Sequence, residues 1–174
     1  MELLLRAKIG AKPISTSLDS KVVLTEYGGI KFSDPTPYRS IVGSLQYLTF
    51  TRPDIAFYVN RVFQFMHDTK EDHWTALKCI LRYLKGTYEY GLFMRADTNN
   101  QLRAFADFHF SLNWFSDADW AGCPHYRRST SGYCIFMGSN LILWSVRKQP
   151  TVSRSSMETE YRALATATTK IIWI

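Results

Sequence analysis

Four carboxylates fall in two short stretches where spacing gives them separate work. Asp117 and Asp119 lie in "WFSDADWAG", directly after an apolar pair and ahead of a Gly, a Pro and the arginines Arg127 and Arg128. Glu158 and Glu160 lie in "SSMETEYRAL". A carboxylate at a strand end, met by another from a crossing helix, suits a hard cation such as Mg2+, which takes oxygen ligands. A solvated loop is the plainer reading of the two aspartates.

Helical spacing separates the glutamates. Ser155 and Glu158 stand in the S-x-x-E relation of a capping box, and Glu158 precedes Arg162 by four residues, a favourable helical ion pair. Glu158 therefore has a complete structural explanation. Glu160 falls on the stripe of Met157, Leu164, Ala167 and Ile171, which should pack on a sheet. A carboxylate there is costly unless it is paired or bound to metal. Two readings stay open: Glu160 faces Asp117 across the helix–sheet contact, or it sits at the edge of the stripe and reaches water.

The elements that must hold these groups come in two kinds. Residues 1–36 read as a short helical start, "ELLLRAKIG", and a Pro/Ser/Thr/Gly-rich connector. Residues 37–90 have helical periodicity. "YRSIVGSLQYLTF" places Ile41, Leu45 and Leu48 on one face, and "TRPDIAFYVNRVFQFM" restarts with Thr51 as cap and Pro53 in the first turn. "EDHWTALKCILRYLKG" gathers Trp74, Leu77, Ile80, Leu81 and Leu84, with acids first, Arg82 and Lys85 last, and Gly86 at the stop. Residues 91–174 turn to strand periodicity. "EYGLFMRA", "QLRAFADFHF" and "SLNWFSD", ending at Asp117, are candidate strands, and "SGYCIFMG" and "NLILWSV" form a hairpin around Gly138-Ser139-Asn140. "SSMETEYRALATATTKIIWI" closes the chain as a helix.

The totals bound the possibilities. The chain has 174 residues, 46% hydrophobic and 21% charged, the profile of a globular protein. A formal charge of +6 with 15% aromatic residues is compatible with a nucleic-acid partner without demanding one. Cys79, Cys123 and Cys134 have no zinc-ligand spacing and fit a reducing compartment. His67, His73, His109 and His125 likewise lack ligand spacing and read as surface or packing residues. The run of three leucines near Met1 is too short for a signal peptide, and no stretch approaches the roughly 20 apolar residues of a membrane span. A soluble intracellular protein with no membrane partner is expected, its compartment undetermined.

Three longer stretches carry a resemblance: "YRSIVGSLQYLTFTRPDIAFYVNRVFQFM", "HWTALKCILRYLKGT" and "FSDADWAGCPHYRRSTSGYCIFMGSNLILWSVRKQPTVSRSSMETEYRALA". In order, they resemble the Pol polyprotein of copia-type LTR retrotransposons, from the end of reverse transcriptase into ribonuclease H. The resemblance implies an α+β chain: a connector, a small helical thumb or connection unit, and a truncated ribonuclease H-like mixed sheet, in which a three-stranded antiparallel meander precedes the first helix. It also places the first catalytic, metal-binding Asp on Asp117 and the catalytic, metal-binding Glu on Glu160, where "EYRAL" repeats a Glu-x-x-Ala pattern. The implied chemistry is hydrolysis of the RNA strand of an RNA–DNA hybrid with two Mg2+ or Mn2+ ions. Arg127, Arg128, Arg147, Lys148, Arg82 and Lys85 are then candidates for phosphate contacts, as are Arg39, Arg52, Arg61 and Lys78. A solvated rim is the alternative reading of Arg127, Arg128, Arg147 and Lys148.

The sequence departs from the family pattern in three ways. The Tyr-x-Asp-Asp metal site of the polymerase is not in it. Two further aspartates of ribonuclease H would follow Ile174, so the chain is expected to be inactive alone and to depend on the remainder of a Pol polyprotein. "LRAFADFHFSLNWFSDADWAG" repeats its own start, which makes Asp107 a decoy for Asp117, the one followed by an intact "ADWAG" continuation. Asp119 reads as a supporting acid at best. The alternatives to an enzyme fragment are a non-catalytic nucleic-acid-binding fragment and a degenerate reading frame without selected function.

Overall fold

The computed structural model describes residues 12–17, 24–95, 112–122 and 127–174. The helix expected over residues 2–10, the strand expected over 101–110, and Asp107, His109, Cys123 and His125 lie outside them. The chain divides into two compact units, Met1–Gly91 and Leu92–Ile174.

The first unit is helical. Helix α1, Pro35–Leu48, begins three residues before the expected Tyr38, because Asp34 caps it by accepting the Thr36 N–H at 2.9 Å and Pro35 fills the first turn without a lost donor. A 3-10 turn, Pro53–Ile55, leads into α2, Ala56–Phe63, and α3 runs Glu71–Gly86. Thr51 does not cap this start as expected: its hydroxyl turns back to the Leu48 carbonyl at 3.2 Å, and Arg52 occupies the cap position. Tyr38, Val42 and Leu45 of α1, Val59 and Val62 of α2, and Leu77, Ile80 and Leu81 of α3 are fully excluded from water. Each such side chain contributes about 1.5–3 kcal/mol of burial. The described end of the connector, at Ile30 and Phe32, is tied to the helices. Phe32 N–H bonds the Thr69 carbonyl, Glu71 N–H bonds the Ile30 carbonyl, and Phe32 stacks on Trp74 at 5.0 Å.

His73 is a buried packing residue. Its Nδ1 accepts the Lys70 N–H at 3.2 Å, its Nε2 lies 3.0 Å from the Thr25 carbonyl, and its ring stacks on Phe65 at 4.0 Å. The two bonds require a neutral ring with the proton on Nε2. Burial, the largest influence, holds its pKa below the ordinary histidine value.

Among the described residues, the second unit is a three-stranded antiparallel open sheet backed by one helix: β1 Leu112–Asp119, β2 Thr130–Met137, β3 Asn140–Lys148 and α4 Ser156–Ile172. The sheet order is β1-β2-β3. β2 and β3 are joined through Gly138-Ser139, with Met137 opposite Asn140 and Gly138 at φ +58°. That positive φ at the first loop position suits a tight two-residue hairpin. No strand forms over the described residues 89–95, where "EYGLFMRA" had suggested one. Arg95 instead bonds through its backbone to the Asn140 side chain, N–H to Oδ1 at 2.7 Å and carbonyl from Nδ2 at 2.9 Å.

Candidate acidic site at the end of strand β1

β1 does not end at Asp117. It runs two residues further, so Asp117 and Asp119 occupy the same side of the pleat, paired with Gly132 and Thr130 of β2. Both are exposed. The Asp117 carboxylate accepts the N–H of Ala118 at 2.8 Å. The Asp119 carboxylate lies over Gly122, where a Cβ would stand 1.9 Å from it. The turn that follows holds Ala121 at φ +53°, a left-handed conformation uncommon for a residue with a Cβ.

The other side of the pleat carries Ser116 and Ala118, opposite Tyr133 and Ser131, and includes the fully buried Ile135. Ser129, just before β2 and on that side, lies hydroxyl to hydroxyl with Thr159 of α4 at 3.1 Å. Helix α4 therefore covers the Ile135 face, and Asp117 falls in the alternate row.

Half of the capping box expected for helix α4 forms, and its glutamate reaches one residue past the cap N–H. The Ser155 hydroxyl accepts the Glu158 N–H at 3.1 Å, while the Glu158 carboxylate takes the Arg154 N–H at 2.7 Å and the Arg162 guanidinium at 2.7 Å. The Arg154 N–H above all, and Arg162 after it, hold the Glu158 carboxyl below the usual range. The buried stripe of α4 matches the expected one at Ala167, with Ile171 half-buried, and departs from it elsewhere. It consists of Thr159, Ala163 and Ala167, while Met157, Glu160 and Leu164 are exposed. Small residues let the helix lie close to the sheet, whereas the larger apolar side chains had suggested a stripe one position away. Of the two readings of Glu160, its exposure in the second turn agrees with the one in which it reaches water and not with a buried carboxylate.

Among the described residues, no three His, Cys, Asp or Glu side chains form a group that would hold a metal ion.

The basic candidates are dispersed. Arg127 and Arg128 are exposed beside the turn, with Arg127 over the Trp120 ring at 5.9 Å. Arg147 is exposed on β3 and Lys148 is half-buried. In the helical unit, Arg82 donates Nε to the Lys12 carbonyl at 2.8 Å, Arg39 donates Nε to the Met66 carbonyl at 2.8 Å, and Lys85 is half-buried. Arg52 cannot serve a phosphate. It is buried, gripping Asp54 and bonding the Thr87 carbonyl at 2.7 Å and hydroxyl at 2.8 Å.

Around β2, β3 and α4, sequence reasoning passed over the buried polar residues Ser129, Gln149, Ser153 and Thr159. The one signal for the first three is position, since "RRST" and "KQPTVSRSS" flank the strands and the helix cap with small polar side chains, while Thr159 lies inside "SSMETEYRAL".

An antiparallel meander followed by a capped helix, with acids on the first strand and in the helix's second turn, defines an open α+β unit whose candidate chemistry is acidic. The comparisons name the family. Across its whole length the chain is 45% identical to the retrovirus-related Pol polyprotein from transposon RE2 and 47% identical to that from transposon RE1, both of Arabidopsis thaliana. It spans 11% of the length of each. It is also 47% identical, over 95% of its length and 64% of the relative's, to an uncharacterized mitochondrial protein of the same plant. No family model and no solved structure matches it. The chain belongs to the copia-type retrotransposon Pol polyproteins, of which it is a segment. No helix among the described residues is long and apolar enough to cross a membrane.

Proposed function

We propose that this segment joins the end of a reverse transcriptase to the opening of a ribonuclease H domain, and that its acids serve hydrolysis of the RNA strand of an RNA–DNA hybrid. The observation that carries the reading is the element order of the second unit: an antiparallel meander with Asp117 on its first strand, then a helix whose cap engages Glu158 and leaves Glu160 open. Mg2+ or Mn2+ is the implied cation. Further carboxylates must join Asp117 and Glu160 before such an ion is held, and the remainder of the polyprotein is the proposed source. Arg127 and Arg128, exposed beside the turn, are the proposed phosphate contacts. The test is cleavage of a labelled hybrid by the purified chain in Mg2+ and then Mn2+, with and without the polyprotein sequence that follows it, and Asp117→Asn as control. Cleavage that needs Asp117 supports the reading. Cleavage unchanged by Asp117→Asn, or none from the extended chain, overturns it.

A second reading draws on Arg127 and Arg128, exposed beside the turn. In it the segment binds nucleic acid without cutting it. Salt-dependent retention of a hybrid, without cleavage by the extended chain, would favour this reading.

A further inference from the structure

Two hydrogen-bond chains leave adjacent residues of the turn after β1 and converge on one residue of α4. The first starts at Ala121, whose N–H donates to the Ser129 hydroxyl at 3.1 Å. Ser129 and Thr159 lie 3.1 Å apart, and the Thr159 hydroxyl donates to the Ser155 carbonyl at 3.1 Å. A hydroxyl has one proton, so Ser129 must be the donor to Thr159, and the chain has a single direction: Ala121 to Ser129 to Thr159 to Ser155. The second starts at Trp120, whose indole N–H donates to the Ser153 carbonyl at 3.3 Å. The Ser153 hydroxyl donates to Gln149 Oε1 at 3.1 Å, and Gln149 Nε2 donates to the Thr159 carbonyl at 3.0 Å. A backbone bond, Gln149 N–H to the Ser129 carbonyl at 2.8 Å, ties the two chains.

All four side chains are buried, Ser129 and Thr159 completely. Among the described residues, no buried side-chain nitrogen or oxygen lacks a partner. A fully satisfied buried polar network fixes one arrangement, because any slip leaves a desolvated group unpaired. Ala121 shows what is fixed: it stays in the left-handed region with its N–H committed to Ser129. Backbone held in such a region persists only where its surroundings over-determine it.

We propose that Ser129, Gln149, Ser153 and Thr159 are positioning residues that lock the turn ending β1 to the second turn of α4. Thr159 is the residue before Glu160, and Trp120 is the residue after Asp119. The network therefore holds the backbone that presents Asp117 and Asp119 in fixed relation to the backbone that presents Glu160. An apolar Val at 159 would fill the same space, so the hydroxyl serves the geometry of the two turns rather than the filling of the core. The consequence for catalysis rests on the hydrolytic reading above; the lock itself does not.

The test is amide hydrogen exchange on the full chain, comparing Thr159→Val with Thr159→Ser. Thr159→Val should speed exchange at Ala121 roughly tenfold, as expected for loss of one buried bond, and Thr159→Ser should restore it. Gln149→Ala should likewise shift the Trp120 indole N–H resonance. Should Thr159→Val fail to fold, Ser129→Ala cuts the same chain with a smaller change and carries the same expectation. Unchanged Ala121 exchange in a folded Val or Ala variant overturns the lock. If the extended chain cleaves a hybrid, Thr159→Val should lower kcat with KM held within about twofold, and an equal fall traced to unfolded protein overturns the positioning role. If nothing cleaves, the hydrolytic reading fails, and the exchange result still decides the lock.

Discussion

The Arg52 guanidinium holds the Asp54 carboxylate through two parallel bonds, Nε to Oδ1 at 2.9 Å and Nη2 to Oδ2 at 2.7 Å. Tyr83 adds its hydroxyl to Asp54 at 2.9 Å, and the other side of the guanidinium takes the Thr87 carbonyl and hydroxyl. One side chain thus ties the start of the turn before α2 to the end of α3. Removing it leaves Asp54 without its counter-charge, held by the Tyr83 hydroxyl alone, and the Thr87 carbonyl with only the Tyr90 N–H. Arg52→Ala should destabilise the helical unit by about 3 kcal/mol, the lower end for a broken buried pair because Asp54 is partly exposed. Arg52→Lys should recover part of this, lacking the second parallel bond. Urea denaturation followed by helical circular dichroism measures both.

The same pair predicts behaviour in acid. Burial pushes the Asp54 carboxyl up, but the bonds from Arg52 and Tyr83 outweigh it and leave the group below its ordinary value. A depressed carboxyl contributes stability above its unfolded pKa of about 3.9, and loses it as pH falls through the folded value. Arg52→Ala should therefore flatten the acid limb of the stability profile below about pH 4.

His73 acts at higher pH. Burial, the largest influence, lowers its pKa, and the Lys70 charge lowers it further, while the Thr25 carbonyl, Asp72 and Asp68 oppose. The folded state resists protonation because Nδ1 is committed as an acceptor of the Lys70 N–H. Between the unfolded value of about 6.5 and the lower folded value, the unfolded chain binds the extra proton, so stability falls as pH drops through that window. His73→Gln keeps a polar side chain without the titration. It should lower stability at neutral pH and remove this slope, as read from urea midpoints between pH 7.5 and 5.5.

Gly138 opens the β2–β3 hairpin at φ +58°, and a Cβ built there meets nothing within 4 Å. The cost of a side chain is then backbone strain without a clash. Gly138→Val should destabilise the sheet unit by about 1–2 kcal/mol. Gly138→Asn should cost less, because Asn tolerates the left-handed region. Thermal melts of the two variants compare them directly.

Several of these devices were legible in sequence and others were not. The hairpin at Gly138, the Ser155 cap with its Glu158–Arg162 pair, and the buried stripe of α3 follow from residue type and local spacing, and all three are present. The buried face of α4 was legible only toward its C-terminal end, at Ala167 and the half-buried Ile171. Periodicity weighs large apolar residues, while close packing chose Thr159, Ala163 and Ala167 and left Met157 in water. Arg52 was misjudged for the opposite reason, since charge suggests a surface role until the partners that neutralise it are seen. The polar lock joins residues from position 120 to 159, a separation local patterns do not reach.

The two glutamates of α4 give the sharpest separation of structure from chemistry. Glu158 takes the Arg154 N–H and pairs with Arg162, so Glu158→Ala should lower the melting temperature. Glu160 is exposed and stands outside the cap. Glu160→Gln should change stability by less than about 0.5 kcal/mol, as for a surface site without special contacts. Asp117→Asn, also at an exposed position, should cost little more, its bond to the Ala118 N–H surviving through the amide oxygen. If the acids serve hydrolysis, the order reverses in the cleavage assay: Glu160→Gln and Asp117→Asn abolish activity while Glu158→Ala retains most of it. Thermal melts and hybrid cleavage on the same three variants decide the matter. A Glu160→Gln variant that loses stability as Glu158→Ala does would assign Glu160 to the fold.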